Sequence, residues 1–146
     1  MAIFGGMNIA ASGLTAQRLR TDVISENIAN ANTTRTAKGG PYVRKQVVFT
    51  EKTATSFGDV FNRTIQGVGN GVKVTSIQND TQTDMNLVYD PSHPDADENG
   101  YVLYPNVNVV SEMTNLIDAT RSYEANATAF EASKSMATTG LGLMKN

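Results

Sequence analysis

The side chains best suited to chemistry lie between positions 92 and 100. Asp95-Ala-Asp97-Glu-Asn99-Gly100 places oxygen donors at the first, third and fifth positions of a loop and glycine at the sixth, the opening half of a calcium-binding loop. Such a loop closes its cage with a bidentate glutamate at the twelfth position. That position holds Asn106, whose amide carries no charge. The intervening Tyr101-Val-Leu-Tyr-Pro105 reads as extended and apolar, so the residues favour an acidic turn between two strands, with Gly100 supplying a positive φ.

The other candidates are weaker. His93 is the only histidine, so no histidine triad can form, and Ser92 beside it lies in no nucleophile elbow. Gly67, Gly69 and Gly71 lack the spacing of a dinucleotide fingerprint and read as a hairpin turn. Asp84, Asp90 and Asp95 belong to no paired acid–base motif. The absence of cysteine excludes thiolate catalysis, thiolate metal sites and disulfides. The expectation is a non-enzymatic chain with no cofactor and no metal.

The elements that hold these residues fall into three segments with different grammar. Residues 4–31 read as a helix in which Phe4, Met7, Ala11, Leu14, Thr21 and Ile28 follow three- and four-residue steps. Ile9, Ala16, Val23 and Asn30 form a second series on a neighbouring face, so this helix is expected to be touched from more than one side. The run Asn27 to Thr34 ends it, because Asn and Thr side chains compete for backbone hydrogen bonds.

Between Asn106 and Thr139 there is no Gly or Pro. Met113, Leu116, Thr120, Tyr123, Ala127, Phe130, Lys134, Ala137, Leu141 and Met144 repeat in strict 3-4 steps, a seam that predicts coiled-coil packing with Leu116, Tyr123 and Phe130 deeply buried. A helix of 30-odd residues, near 50 Å long at roughly 1.5 Å per residue, must project from so small a chain. The middle, 35–105, changes to strands at 42–49, 72–77, 85–89 and 100–104, predicting one small sheet with a thin core. Residues 53–70, mostly Thr, Ser, Asn and Gly, read as a loop.

The fold class expected is therefore α+β: long terminal helices, 1–34 and 106–146, paired as an antiparallel coiled coil, with a small central β domain at 35–105. The 146 residues carry a net charge of −2, and each of the three segments is close to neutral. No surface charge of the kind that binds nucleic acid or an anionic membrane is expected. No stretch reaches the roughly 18 to 20 apolar residues of a membrane span. Met1-Ala-Ile-Phe-Gly-Gly-Met7 lacks the basic start and apolar run of a secretory signal, so export, if it occurs, is expected to leave no cleaved peptide.

Three stretches resemble one known family. Met7-Asn-Ile-Ala-Ala-Ser-Gly-Leu-Thr-Ala-Gln17, continuing to Asn27-Ile-Ala-Asn30 and Asn32-Thr33, is similar to the amino-terminal signature of the flagellar axial proteins, the rod and hook subunits. Ala119-Thr-Arg-Ser-Tyr-Glu-Ala-Asn126 resembles their carboxy-terminal motif. The block from Tyr89 to Val102, with Tyr104-Pro-Asn-Val-Asn-Val-Val110, points within that family to the proximal rod. Glu26 departs from the asparagine usual before Asn27.

The resemblance implies a structural subunit that stacks helically into a hollow drive shaft needed for motility. Its implied partners are copies of itself, other rod proteins, the adaptor that joins the rod to the membrane ring, and the flagellar type III export apparatus. It implies location in the basal body, without direct membrane insertion. Motif and periodicity together mark Leu14, Asn27, Ile28, Asn30, Met113, Leu116, Tyr123, Asn126, Phe130 and Leu141 as assembly and packing residues. A reading from another class, a helical substrate or adaptor of an injectisome, would also lack a signal peptide.

Overall fold

The computed structural model describes residues 2–37, 39–53 and 69–143, with only the backbone of Ala2 and Ile3. Met144 and most of the 53–70 stretch, residues 54–68, lie outside the described residues. The described elements are α1 (Ala2–Ala29), β1 (Lys45–Glu51), β2 (Val72–Asn79), β3 (Asn86–Tyr89), β4 (Tyr101–Tyr104) and α2 (Val109–Leu143). This is the expected α+β arrangement, with two long helices at the ends and strands between them.

Helix α2 extends for 35 residues because nothing before Gly140 breaks it. Its start is set by Asn108 and not by Pro105. The Asn108 Oδ1 accepts from the Ser111 amide at 3.1 Å and its carbonyl accepts from the Glu112 amide at 2.9 Å, an N-cap. Hydroxyls along the helix satisfy themselves on the preceding turn, as Thr120 does on the Leu116 carbonyl at 2.9 Å. Helix α1 ends where Asn30 folds back: its Nδ2 donates to the Glu26 carbonyl at 2.9 Å and its Oδ1 accepts from the Thr33 hydroxyl at 3.2 Å.

The strands form two separate two-stranded antiparallel sheets, β1–β2 and β3–β4, where one sheet was expected. The break lies at Asp80, directly after β2. Its Oδ1 accepts from the amides of Gln82 and Thr83 at 3.1 and 3.2 Å, turning the chain out of the first ladder before β3 can join it. Register in the first sheet slips between Val48 and Phe49, which face Ser76 and Val74 and leave Thr75 as a bulge. The β1–β2 sheet lies against α1; among the described elements β3 and β4 contact only each other.

Candidate functional site

The helices pack antiparallel through small and polar residues. A Cβ placed on Gly13 would stand 2.5 Å from Asn126 Oδ1, and one on Gly6 would stand 3.5 Å from Ser133 Oγ. Asn27 donates from Nδ2 to Glu112 Oε2 at 3.0 Å. Each step of seven or fourteen along α1 is matched by the same step back along α2, so one register holds from end to end. The buried residues of the two helices are Ala10, Gly13, Ala16, Val23, Ile24 and Asn27 on α1, with Glu112 and Ala119 on α2. Small side chains let the backbones approach closely, and Gly13 is needed for that reason.

At one end of this contact sits a polar junction that draws in five parts of the chain. Asn27, with no exposed surface, satisfies its whole amide. Its Oδ1 accepts from the Tyr42 hydroxyl and the Lys45 amide, both at 2.9 Å, while Nδ2 donates to the Lys45 carbonyl at 2.9 Å and to Glu112. Glu112 takes the guanidinium of Arg44 on Oε1, from Nε at 3.0 Å and Nη2 at 2.7 Å, with Asn115 Nδ2 at 3.3 Å. Arg44 Nη1 reaches Asp80 Oδ2 at 3.3 Å, and its amide donates to Asn106 Oδ1 at 2.9 Å. Asn106 in turn donates to the carbonyls of Asp80 and Thr83 at 2.9 and 3.1 Å. A buried carboxylate is tolerated here because a cation and several donors compensate its lost hydration.

The electrostatics follow from this geometry. Burial raises the Tyr42 phenol to about 12, helped by the negative charges of Glu26 and Glu112, so it is a fixed hydrogen-bond donor. Burial opposes the Arg44 charge, but Glu112 and Asp80 outweigh it and raise its pKa. The Thr83 hydroxyl and amide hold the Asp80 carboxyl below its ordinary value, with Gln82 and Arg44 adding to them. The cluster is a structural lock, with each group committed to a partner.

A second clamp joins α1 to the sheet at its other end. Ser12 donates to the Ile9 carbonyl at 2.7 Å and accepts from the Val72 amide at 3.1 Å. Gly71, at φ 93°, lies so close that a Cβ there would come within 2.2 Å of the Ser12 hydroxyl. Adjacent residues of the Ala-Ser-Gly-Leu stretch thus serve different neighbours: Ser12 holds β2 and Gly13 admits Asn126.

The residues marked from sequence divide. Asn27 is at the centre of the junction, and Asn30 closes α1. Asn126 lies against Gly13 and donates to the Ser122 carbonyl at 2.8 Å. Leu14, Ile28, Leu116 and Phe130 are half-buried. Tyr123, expected deep in the seam, is 41 % exposed, and Met113 and Leu141 are 55 % and 65 % exposed. The reason is geometric. The seam residues stand one or four positions after the residues that make the contact with α1, so at about 100° per residue they lie on its flank throughout. The contact with α1 follows a different line, through Glu112, Ala119, Asn126 and Ser133. Tyr42, Arg44, Asp80 and Glu112 were not singled out, and Asn106 was named only as the twelfth position of the acidic loop, since isolated polar residues far apart in sequence give no periodic signal.

Asp95 and Asp97 of the 95–100 turn are engaged within the chain. Asp95 accepts from the Thr34 hydroxyl at 2.8 Å and lies 3.5 Å from Arg35, while Asp97 Oδ1 accepts from the amides of Asn99 and Tyr101 at 2.9 and 2.8 Å. Gly100 has φ 80°. His93 Nδ1 accepts from the Asp95 amide at 3.1 Å.

Two family models match the stretches that carry these contacts. The family described as flagella basal body rod protein matches residues 7–35, the stretch that carries Ser12, Gly13 and Asn27. That described as flagellar basal body rod FlgEFG protein C-terminal matches residues 98–143, which carry Glu112 and Asn126. The chain is 45 % identical to the flagellar basal-body rod protein FlgC of Borreliella burgdorferi, over 99 % of both chains. It is 48 % identical to that of Bacillus subtilis over 93 % of this chain and 94 % of the relative, and 43 % identical to that of Salmonella typhimurium over 93 % of each. These are structural proteins by name, and an injectisome adaptor is not favoured. With both helical signatures and nearly the whole length matched, the chain belongs to the FlgC family of flagellar basal-body rod proteins.

Proposed function

We propose that this rod subunit polymerises through the flanks of its two terminal helices, as part of the proximal rod. One observation carries the reading. Where the helices meet, Gly13 faces Asn126, Gly6 faces Ser133 and Asn27 bonds Glu112, while larger side chains, Phe4, Met113, Tyr123 and Leu141, stay bare. Large apolar residues left outside are the reverse of a self-sufficient helix pair, and bare apolar side chains along both helices mark surface for neighbours. The polar junction around Asn27 and Glu112 fixes how the central segment, 35–105, is carried on the helices.

In this reading the partners are copies of the chain, other rod proteins and the adaptor to the membrane ring. Delivery is by the flagellar type III apparatus without a cleaved signal peptide. Tyr123→Asp and Phe130→Asp test it in cells. Each should leave cells non-motile with rods missing, while the purified Tyr123→Asp chain keeps its fold, because Tyr123 is exposed in the single chain. A motile Tyr123→Asp or Phe130→Asp strain with normal rods would overturn the proposal.

A further inference from the structure

The β3–β4 hairpin is an arm with one bare apolar face. Register pairs Leu87 with Leu103 and Tyr89 with Tyr101, which places all four side chains on the same side. All four are exposed, Tyr89 to 65 % and Leu87 to 59 %, and the two tyrosine rings meet edge to face at 5.2 Å. The other face is covered in part: Val102 has no exposed surface and Asn86 donates to the Pro105 carbonyl at 3.0 Å, while Val88 is 45 % exposed. A two-stranded hairpin is only marginally stable alone, and this one leans on no described helix or sheet. Its turn is acidic, with Asp97 and Glu98 exposed. A cleft of about 400 Å³ runs along the bare face, between Leu87, Tyr101 and Leu103 on one side and Pro41 on the other.

The same chain carries a complementary surface. Val110, Met113 and Ile117 lie three and four residues apart on the side of α2 turned away from α1, exposed by 75, 55 and 53 %, and exposed Arg121 follows on the same line. A helix stripe of this length spans about 16 Å. Four-residue strands span about 13 Å before their turn. An apolar stripe ending in a cation therefore matches an apolar face ending in carboxylates, in both length and charge.

We propose that the bare face of the arm seats the outer stripe of α2 from a second copy of the chain, with Arg121 meeting the acidic turn at Glu98. Within one chain β3 and β4 make no contact with α2, so these two matched surfaces can meet only between copies. Two different surfaces meet, so the contact is head to tail and propagates into an open helical filament. The proposal rests on the rod-subunit reading, and adds an outer contact to the one made along the helix flanks.

The chain has no cysteine, which makes cross-linking clean. Leu103→Cys with Met113→Cys, or the rim pair Glu98→Cys with Arg121→Cys, is introduced into the full chain, and purified basal bodies are oxidised. Disulfide-linked multimers of the chain are expected from each pair and from neither single substitution. Basal bodies that contain the substituted chain but yield only monomer, or yield it joined to a different rod protein, would overturn the proposal. Arg121→Glu should lower incorporation about tenfold, and adding Glu98→Arg should restore most of it; a double variant no better than the single would also overturn it. If the unsubstituted chain itself were missing from basal bodies, the rod reading would fail instead.

Discussion

The two ends of the helix pair are built on opposite plans. Near Asn27 and Glu112 polar groups are buried and each has its partner, from Tyr42, Arg44 and Lys45, so this end is complete within one chain. Toward Gly6 and Ser133 the contact is thin. After Ala119 no described residue of α2 is buried, and Phe4, Met136, Leu141 and Leu143 are bare. The first end defines the subunit and the second leaves surface for neighbours. A stable β module and an incomplete helix pair can then coexist, since an isolated helix draws most of its stability from packing.

The largest effect should come from opening the complete end. Glu112→Ala leaves Arg44 with Asp80 as its one carboxylate partner and takes an acceptor from Asn27, at a cost of about 3 kcal/mol. Urea denaturation of the purified chain would measure it, and a loss under about 1 kcal/mol would remove the junction from its central place. Gly13→Ala comes next. The new Cβ must push Asn126 aside and break its bond to Ser122, for about 1–2 kcal/mol. Asn126→Ala in the same chain should recover much of that loss, and a double-mutant cycle without coupling would contradict the contact.

Smaller effects sharpen the contrast. Ser12→Ala removes the acceptor of the Val72 amide and should cost about 1 kcal/mol, with hydrogen exchange accelerated at Val72 first. The pH response should also belong to the complete end. Tyr42 holds its proton to about 12 in the fold against 10 when unfolded, so its contribution is whole below pH 10 and is lost as pH rises through 12. Asp80, lowered in the fold, has the opposite sign: its contribution is present above the ordinary carboxylate pKa and lost as pH falls through its folded value. Tyr42→Phe should flatten the alkaline limb alone; an unchanged limb would place the titrating group elsewhere.

Much of the architecture was legible in the sequence because it is written in local terms. A run without Gly or Pro from 107 to 138 makes a helix, and the Asn-rich run after Asn27 ends one. The acidic turn was readable from Gly100 and its oxygen-bearing neighbours. What escaped depends on residues far apart in the chain. Arg44, Asp80, Asn106 and Glu112 meet only after folding, and no spacing announces them. The separation of the strands into two sheets turned on one Asx turn at Asp80. Tyr123 was misplaced because periodicity identifies an apolar stripe without identifying what covers it. The Ala-Ser-Gly-Leu and Glu-Ala-Asn motifs were both visible, but their meeting at Gly13 and Asn126 was not.

Hydrogen exchange on the dilute, verified monomer tests the contrast between the two ends most directly. The account predicts protection in β1, β2 and the junction turns at Val23–Asn27 and Glu112–Ala119, with fast exchange through residues 4–9 and 130–143. Uniform strong protection along both helices of the monomer would contradict it.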